Sequence, residues 1–85
     1  MNTNPIICIP RTNITNKRFI FDIFKKFGNI KKITVIDDKV FIYFNYWYNK
    51  KLIVKKILNL LNTASFVNIV YDFPWFWRCV IKNEF

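Results

Sequence analysis

The 85-residue sequence contains no histidine, one glycine and two cysteines, Cys8 and Cys79. Without histidine, a Ser–His or Cys–His nucleophile pair cannot be assembled. A structural zinc site needs four Cys or His ligands, so the chain cannot supply one. A lone Gly28 rules out a glycine-rich phosphate loop. Two cysteines in apolar company make no disulfide framework and read as free thiols of an intracellular protein. No apolar run approaches the ~20 residues that span a bilayer, so neither a transmembrane helix nor a membrane partner is expected. Residues 1–5 have no basic start and no long apolar stretch, so no secretory signal is expected. No cofactor and no catalysis are expected. Asp37 and Asp38 are adjacent and suit a hairpin turn better than a converging acid pair.

Acidic residues are also scarce. Fourteen Lys and Arg face five Asp and Glu, for a net charge of +9. A field of that sign attracts phosphates, acidic proteins or an anionic membrane surface. The wealth of Lys, Asn, Ile, Phe and Tyr matches the codon usage of an AT-rich genome. That bias does not account for the shortage of acids, because Asp and Glu codons are not GC-rich. Hydrophobic residues reach 53% and aromatics 20%, which excludes a disordered tail. A chain of this mass buries about 64% of its extended surface, enough for one small core.

Residues 6–9 form a short apolar run that ends at Pro10, as a buried strand does. Ile20, Ile23, Phe24 and Phe27 fall at i, i+3, i+4 and i+7, which predicts a helix. Thr15 is its expected N-cap and Gly28 its expected stop. Residues 30–36 are β-branched and strand-like. Residues 39–46 alternate clearly, with Val40, Ile42, Phe44 and Tyr46 on one side and Lys39, Phe41, Tyr43 and Asn45 on the other. A second helix is predicted to run from a cap at Asn49 to Leu61, with Ile53, Ile57, Leu60 and Leu61 inward. Residues 67–71 read as a fourth strand, broken by Pro74. This order predicts an α+β domain over residues 6–73, after a tail at 1–5. The expected fold is the ferredoxin-like βαββαβ arrangement: a four-stranded antiparallel sheet with both helices on one face. Residues 74–85 would be an aromatic extension packing on or beside it.

The motifs resemble an RNA recognition motif. The helix and its exit, Ile20-x-x-Ile23-Phe24-x-x-Phe27-Gly28-x-Ile30, are similar to that family's helix signature. Lys39-Val40-Phe41-Ile42-Tyr43-Phe44-Asn45-Tyr46 is similar to its octamer in the basic residue and both outward aromatics. Val40 and Ile42 replace the family's small residues. The first strand offers Ile7 or Cys8 where the family has an aromatic, which removes one stacking platform. Cys8-Ile9-Pro10-Arg11 and Val70-Tyr71-Asp72-x-Pro74-Trp75-Phe76-Trp77 together resemble short RRM-like proteins of large DNA viruses. The resemblance implies binding of RNA, or of single-stranded DNA, through the open sheet face. Phe41 and Tyr43 would stack bases. Lys39 would meet a phosphate. Lys32 and Arg11 would join it if they lie near the same face and are otherwise solvated surface charges. Arg78 would either stack on a tryptophan or contact phosphate.

The rings have a second reading, in which the tail or a protein covers them. Trp75, Phe76 and Trp77 fit three roles: a cap over the open sheet, an addition to the core, or an anchor for a partner or a second copy of the chain. The helix lysines suit a solvated face, or a surface for phosphates or an acidic protein. A structural role, neutralising packaged nucleic acid by charge alone, also fits the composition.

Overall fold

A computed structural model describes residues 5–82. Among these residues the chain forms β1 (Ile7–Ile9), α1 (Lys17–Phe24), β2 (Gly28–Ile36), β3 (Lys39–Trp47), α2 (Leu52–Thr63), β4 (Val67–Asp72) and β5 (Trp75–Ile81). The strands make one antiparallel sheet in the order β2-β3-β1-β5-β4.

This corrects the four-stranded ferredoxin-like expectation. The segment read as an extension beyond Pro74 supplies β5, which lies next to β1. The strand after α2, expected in that place, is pushed to the sheet edge and pairs only with β5. Pro74 breaks no strand interior, because it sits in the turn between β4 and β5. Two segments compete for the slot beside β1, and composition decides between them. β5 sends Trp77 and Cys79 fully into the core. β4 buries only the smaller Val67 and Ile69 fully, with Tyr71 partly buried at the core margin. Burying an indole removes more apolar surface than burying Val or Ile, so β5 gains more from the central slot.

One cluster holds Ile7 and Ile9 of β1, Val40 and Ile42 of β3, and Trp77 and Cys79 of β5. It also holds Ile20 and Phe24 of α1 and Val54, Ile57 and Leu61 of α2. Both helices therefore cover the same face of the sheet. Among the described residues no helix is long and apolar enough to cross a membrane.

Local chemistry adjusts the helix ends. Asn16, not Thr15, caps α1; its side-chain oxygen accepts from the Phe19 amide at 3.0 Å. α2 has no side-chain cap at Lys51, and Asn49 lies in the turn before it. The inward stripe of α2 is Val54, Ile57 and Leu61. Ile53 and Leu60, predicted inward, are 52% and 43% exposed. The sets 53, 57, 60 and 54, 57, 61 both satisfy a helical period. Packing against the sheet selects the second, and Ile53 and Leu60 line a groove facing β4.

Gly28 does not stop α1, which ends at Phe24; it opens β2. A Cβ there would lie 2.6 Å from the Tyr46 carbonyl oxygen and 2.8 Å from the Phe44 ring. Glycine is required by this close approach. Gly28→Ala is expected to lower unfolding free energy by about 1–3 kcal/mol through overpacking. Urea denaturation checks this, and an unchanged midpoint would refute it.

Both cysteines are free. Cys8 is paired opposite Val80, so Cys79, one residue away, points to the other face of the sheet. Burial pushes the Cys79 thiol up to about 12. Burial also raises Cys8, with Lys39 and Lys82 pulling it back.

Candidate nucleic-acid interface

The alternation of β3 sends Val40, Ile42 and Phe44 into the core and leaves Lys39, Phe41, Tyr43 and Asn45 on the helix-free face. The register extends this face across the sheet. Cys8 of β1 lies opposite Phe41 on one side and Val80 of β5 on the other. Phe41, Cys8 and Val80 therefore form one row. On β2, Lys32 is paired with Tyr43 and Thr34 with Phe41. On β5, alternation adds Phe76 and Arg78 to the side that carries Val80, and Lys82, the residue after the strand, continues it.

Phe41 and Tyr43 are half-buried, and among the described residues the segment after Pro74 does not lie across them. β5 enters the sheet edge-on and widens the face instead of capping it. Cations surround the two rings. The Lys32 ammonium lies 4.7 Å from the Tyr43 ring centre. The Lys82 ammonium lies 5.2 Å from the centre of Phe41 and 5.7 Å from that of Tyr43. It also donates to the Tyr43 hydroxyl at 3.3 Å. The Lys82 main chain is fixed by its amide, which donates to the Ile6 carbonyl at 2.8 Å. Lys39 is exposed and close enough to Cys8 to act on its thiol, as Lys82 does.

The structure thus brings Lys32, Lys39, Phe41 and Tyr43 together. Arg78 shares their face but stands further out, with its guanidinium 4.5 Å from the Phe66 ring centre. Arg11 does not join them. It sits 3.7 Å from Asp38 at the β2–β3 turn, and both side chains are well exposed, so the pair adds little stability. The aromatic triplet divides. Trp77 is buried and donates its indole N–H to the Thr12 hydroxyl at 3.0 Å. Trp75 is 64% exposed near the hairpin tip, and Phe76 is 50% exposed on the helix-free face. Lys82 was not singled out from sequence. Its signal was its parity with Arg78 and Val80, which carries meaning only once residues 75–81 are read as a strand.

The ion pairs among the described residues lie elsewhere. Asp22 of α1 faces Arg18 and Lys25, both at 3.5 Å, and Asp38 faces Arg11. Lys32, Lys39, Arg78 and Lys82 remain available to an anionic ligand. Half-exposed rings flanked by such cations can stack planar groups and neutralise the phosphates that link them. Comparison with known protein families, with curated proteins and with solved structures finds no match.

Proposed function

We propose that the protein binds single-stranded nucleic acid, RNA in preference to DNA, through the helix-free face of its sheet, and performs no chemistry on it. The observation that carries the reading is the Phe41–Tyr43 pair with Lys82 poised over both rings. A base arriving there gains stacking of about 1–3 kcal/mol. The ammonium it displaces meets the adjoining phosphate. Lys32 and Lys39 extend the charge on the β2 side. The preference for RNA rests on the resemblance of the β3 octamer, not on the strand order, which departs from that family. Two free thiols fit a reducing, intracellular setting.

Titration of a labelled oligouridylate at about 50 and about 200 mM salt tests the reading. Binding is expected to weaken steeply with salt. Lys39→Ala should flatten the slope of log affinity against log salt by about 0.7, the value for one phosphate on a single strand. No oligonucleotide binding at the lower salt, together with a change in self-association on Trp75→Ala, would instead indicate a protein-interaction surface. Salt-sensitive binding that is indifferent to loss of the rings would indicate neutralisation by charge alone.

A further inference from the structure

Phe41 and Tyr43 do not exhaust the aromatic surface of the helix-free face. Phe76 is paired opposite Val70 of β4, and both are about half exposed. Strand alternation places Phe76 on the same side as Arg78, Val80 and Lys82. Val80 is in the row of Cys8 and Phe41. Phe76 therefore looks out from the same face as the two stacking rings. It stands apart from them, beyond the last pairing of β1.

The register gives the separation. β3 and β5 are both antiparallel to β1, so they run the same way two strands apart, about 10 Å. Phe76 precedes Val80 by four residues, about 13 Å along the strand. The diagonal from Phe41 to Phe76 is then about 16 Å, or about five steps of a stacked single strand at ~3.4 Å each. Lys39 precedes Phe41 by two residues and Arg78 precedes Val80 by two. Their main-chain positions stand level, one on each side of the diagonal. A strand crossing between the rings passes its phosphates beside Lys39 and within reach of Arg78, whose guanidinium rests on the Phe66 ring and must swing inward to meet them. An apolar protein segment laid on the same path would leave both cations unpaired. Charge complementarity therefore favours a polyanion as the occupant.

We infer that Phe76 is a second base-stacking platform, and that the ligand is a single strand of about five to seven nucleotides running diagonally from Tyr43 and Phe41 to Phe76. This rests on the function proposed above and sets its site length. The β4–β5 hairpin becomes part of the binding surface, not only of the fold.

The test uses the full chain with fluorescein-labelled oligouridylates of about three and about seven nucleotides, one too short to reach Phe76 and one that fills the predicted span. Wild type should hold the longer probe more tightly. Phe76→Ala should leave the shorter probe unchanged and weaken the longer one about tenfold, the loss of one stacked base. Phe76→Trp should restore the longer probe. Equal affinity of wild type and Phe76→Ala for the longer probe overturns the inference and leaves the Phe41–Tyr43 reading standing. An equal loss on both probes also overturns it, because Phe76 would then act through the fold. Failure of wild type to bind either probe at low salt overturns the reading and the inference together. If Phe76→Ala changes only concentration-dependent sedimentation, the ring serves a second copy of the chain, and the inference is likewise overturned.

Discussion

Trp77→Ala is expected to cost about 3–5 kcal/mol of unfolding free energy, the range for truncating a buried aromatic. Trp77 is 3% exposed. Its ring stacks on Tyr71 at 4.3 Å and on Phe24 at 5.9 Å, and meets the edge of Phe19 at 6.3 Å. It is the point where β5, β4 and α1 meet, so the cavity left by alanine has walls on three elements and little freedom to collapse. Loss of the indole N–H adds less. The Thr12 hydroxyl still accepts from the Ile14 amide at 3.0 Å, so it is not stranded. Trp77→Phe should accordingly cost less than Trp77→Ala. Against a whole-domain stability of about 5–15 kcal/mol, that is a large fraction of what holds the fold, and the urea midpoint should fall accordingly. The control lies two residues away. Trp75→Ala should stay within about 0.5 kcal/mol of wild type, as surface substitutions do. Urea unfolding of the two variants checks the placement of β5 itself. A larger loss at Trp75 than at Trp77 would show that β5 does not pack as described.

The same strand shows where sequence reading reached its limit. β3 was legible over residues 39–44, where apolar and outward residues alternate strictly. The pattern fails at Tyr46, expected inward but 54% exposed, because the β2–β3 register shifts near Ile30 and Trp47 takes the buried place instead. The inner face of α1 was legible for a similar reason: Ile20 and Phe24 repeat at a spacing that only a helix brings together. Residues 75–81 show no such alternation, being apolar everywhere but Arg78, and Pro74 just before them reads as the end of the sheet. A proline in the turn of a hairpin and a proline that ends a sheet look alike along the chain. What separates them is whether a slot beside β1 is open to the following segment, and that is settled by tertiary competition. The rotation of α2 has the same origin. Ile53 and Val54 both belong to helical stripes, and propensity does not distinguish them. Only contact with the sheet puts Val54 inside and Ile53 out.

The candidate site inherits this division. Its β3 half, Lys39, Phe41 and Tyr43, was legible from one strand. Its β5 half, Phe76, Arg78 and Lys82, depends on the strand order. The five-stranded layout also changes what the missing aromatic on β1 implies. Cys8 leaves the centre of the Phe41–Cys8–Val80 row without a ring. β5 widens the face beside it and contributes two cations and one half-exposed aromatic. Compared with a four-stranded face, the site is poorer in rings at its centre and richer in charge at its flank. Salt should therefore govern its affinity more than base identity does.

Removing both central rings is expected to have the largest effect on binding. Phe41→Ala with Tyr43→Ala deletes two platforms, which corresponds to about 2–6 kcal/mol if each base stacks fully. The lower end is the expected result for two reasons visible in the geometry. Lys82 already occupies both ring faces, and a base must displace that cation–π contact, about 0.5–1 kcal/mol at an exposed site. Cys8 supplies no third ring beside them. A loss of about 2–3 kcal/mol, roughly 30- to 150-fold in affinity, is then expected for a labelled oligouridylate at low salt. Tyr43→Phe separates stacking from hydrogen bonding. It keeps the ring and removes only the hydroxyl that accepts from Lys82, so it should bind within a few fold of wild type. Because both rings are half-buried, each variant is first checked for folding by its urea midpoint. If the folded double variant binds the oligonucleotide as tightly as wild type, the helix-free face is not the site. If Tyr43→Phe loses as much as the double variant, the Lys82–Tyr43 contact governs binding in place of the stacked rings.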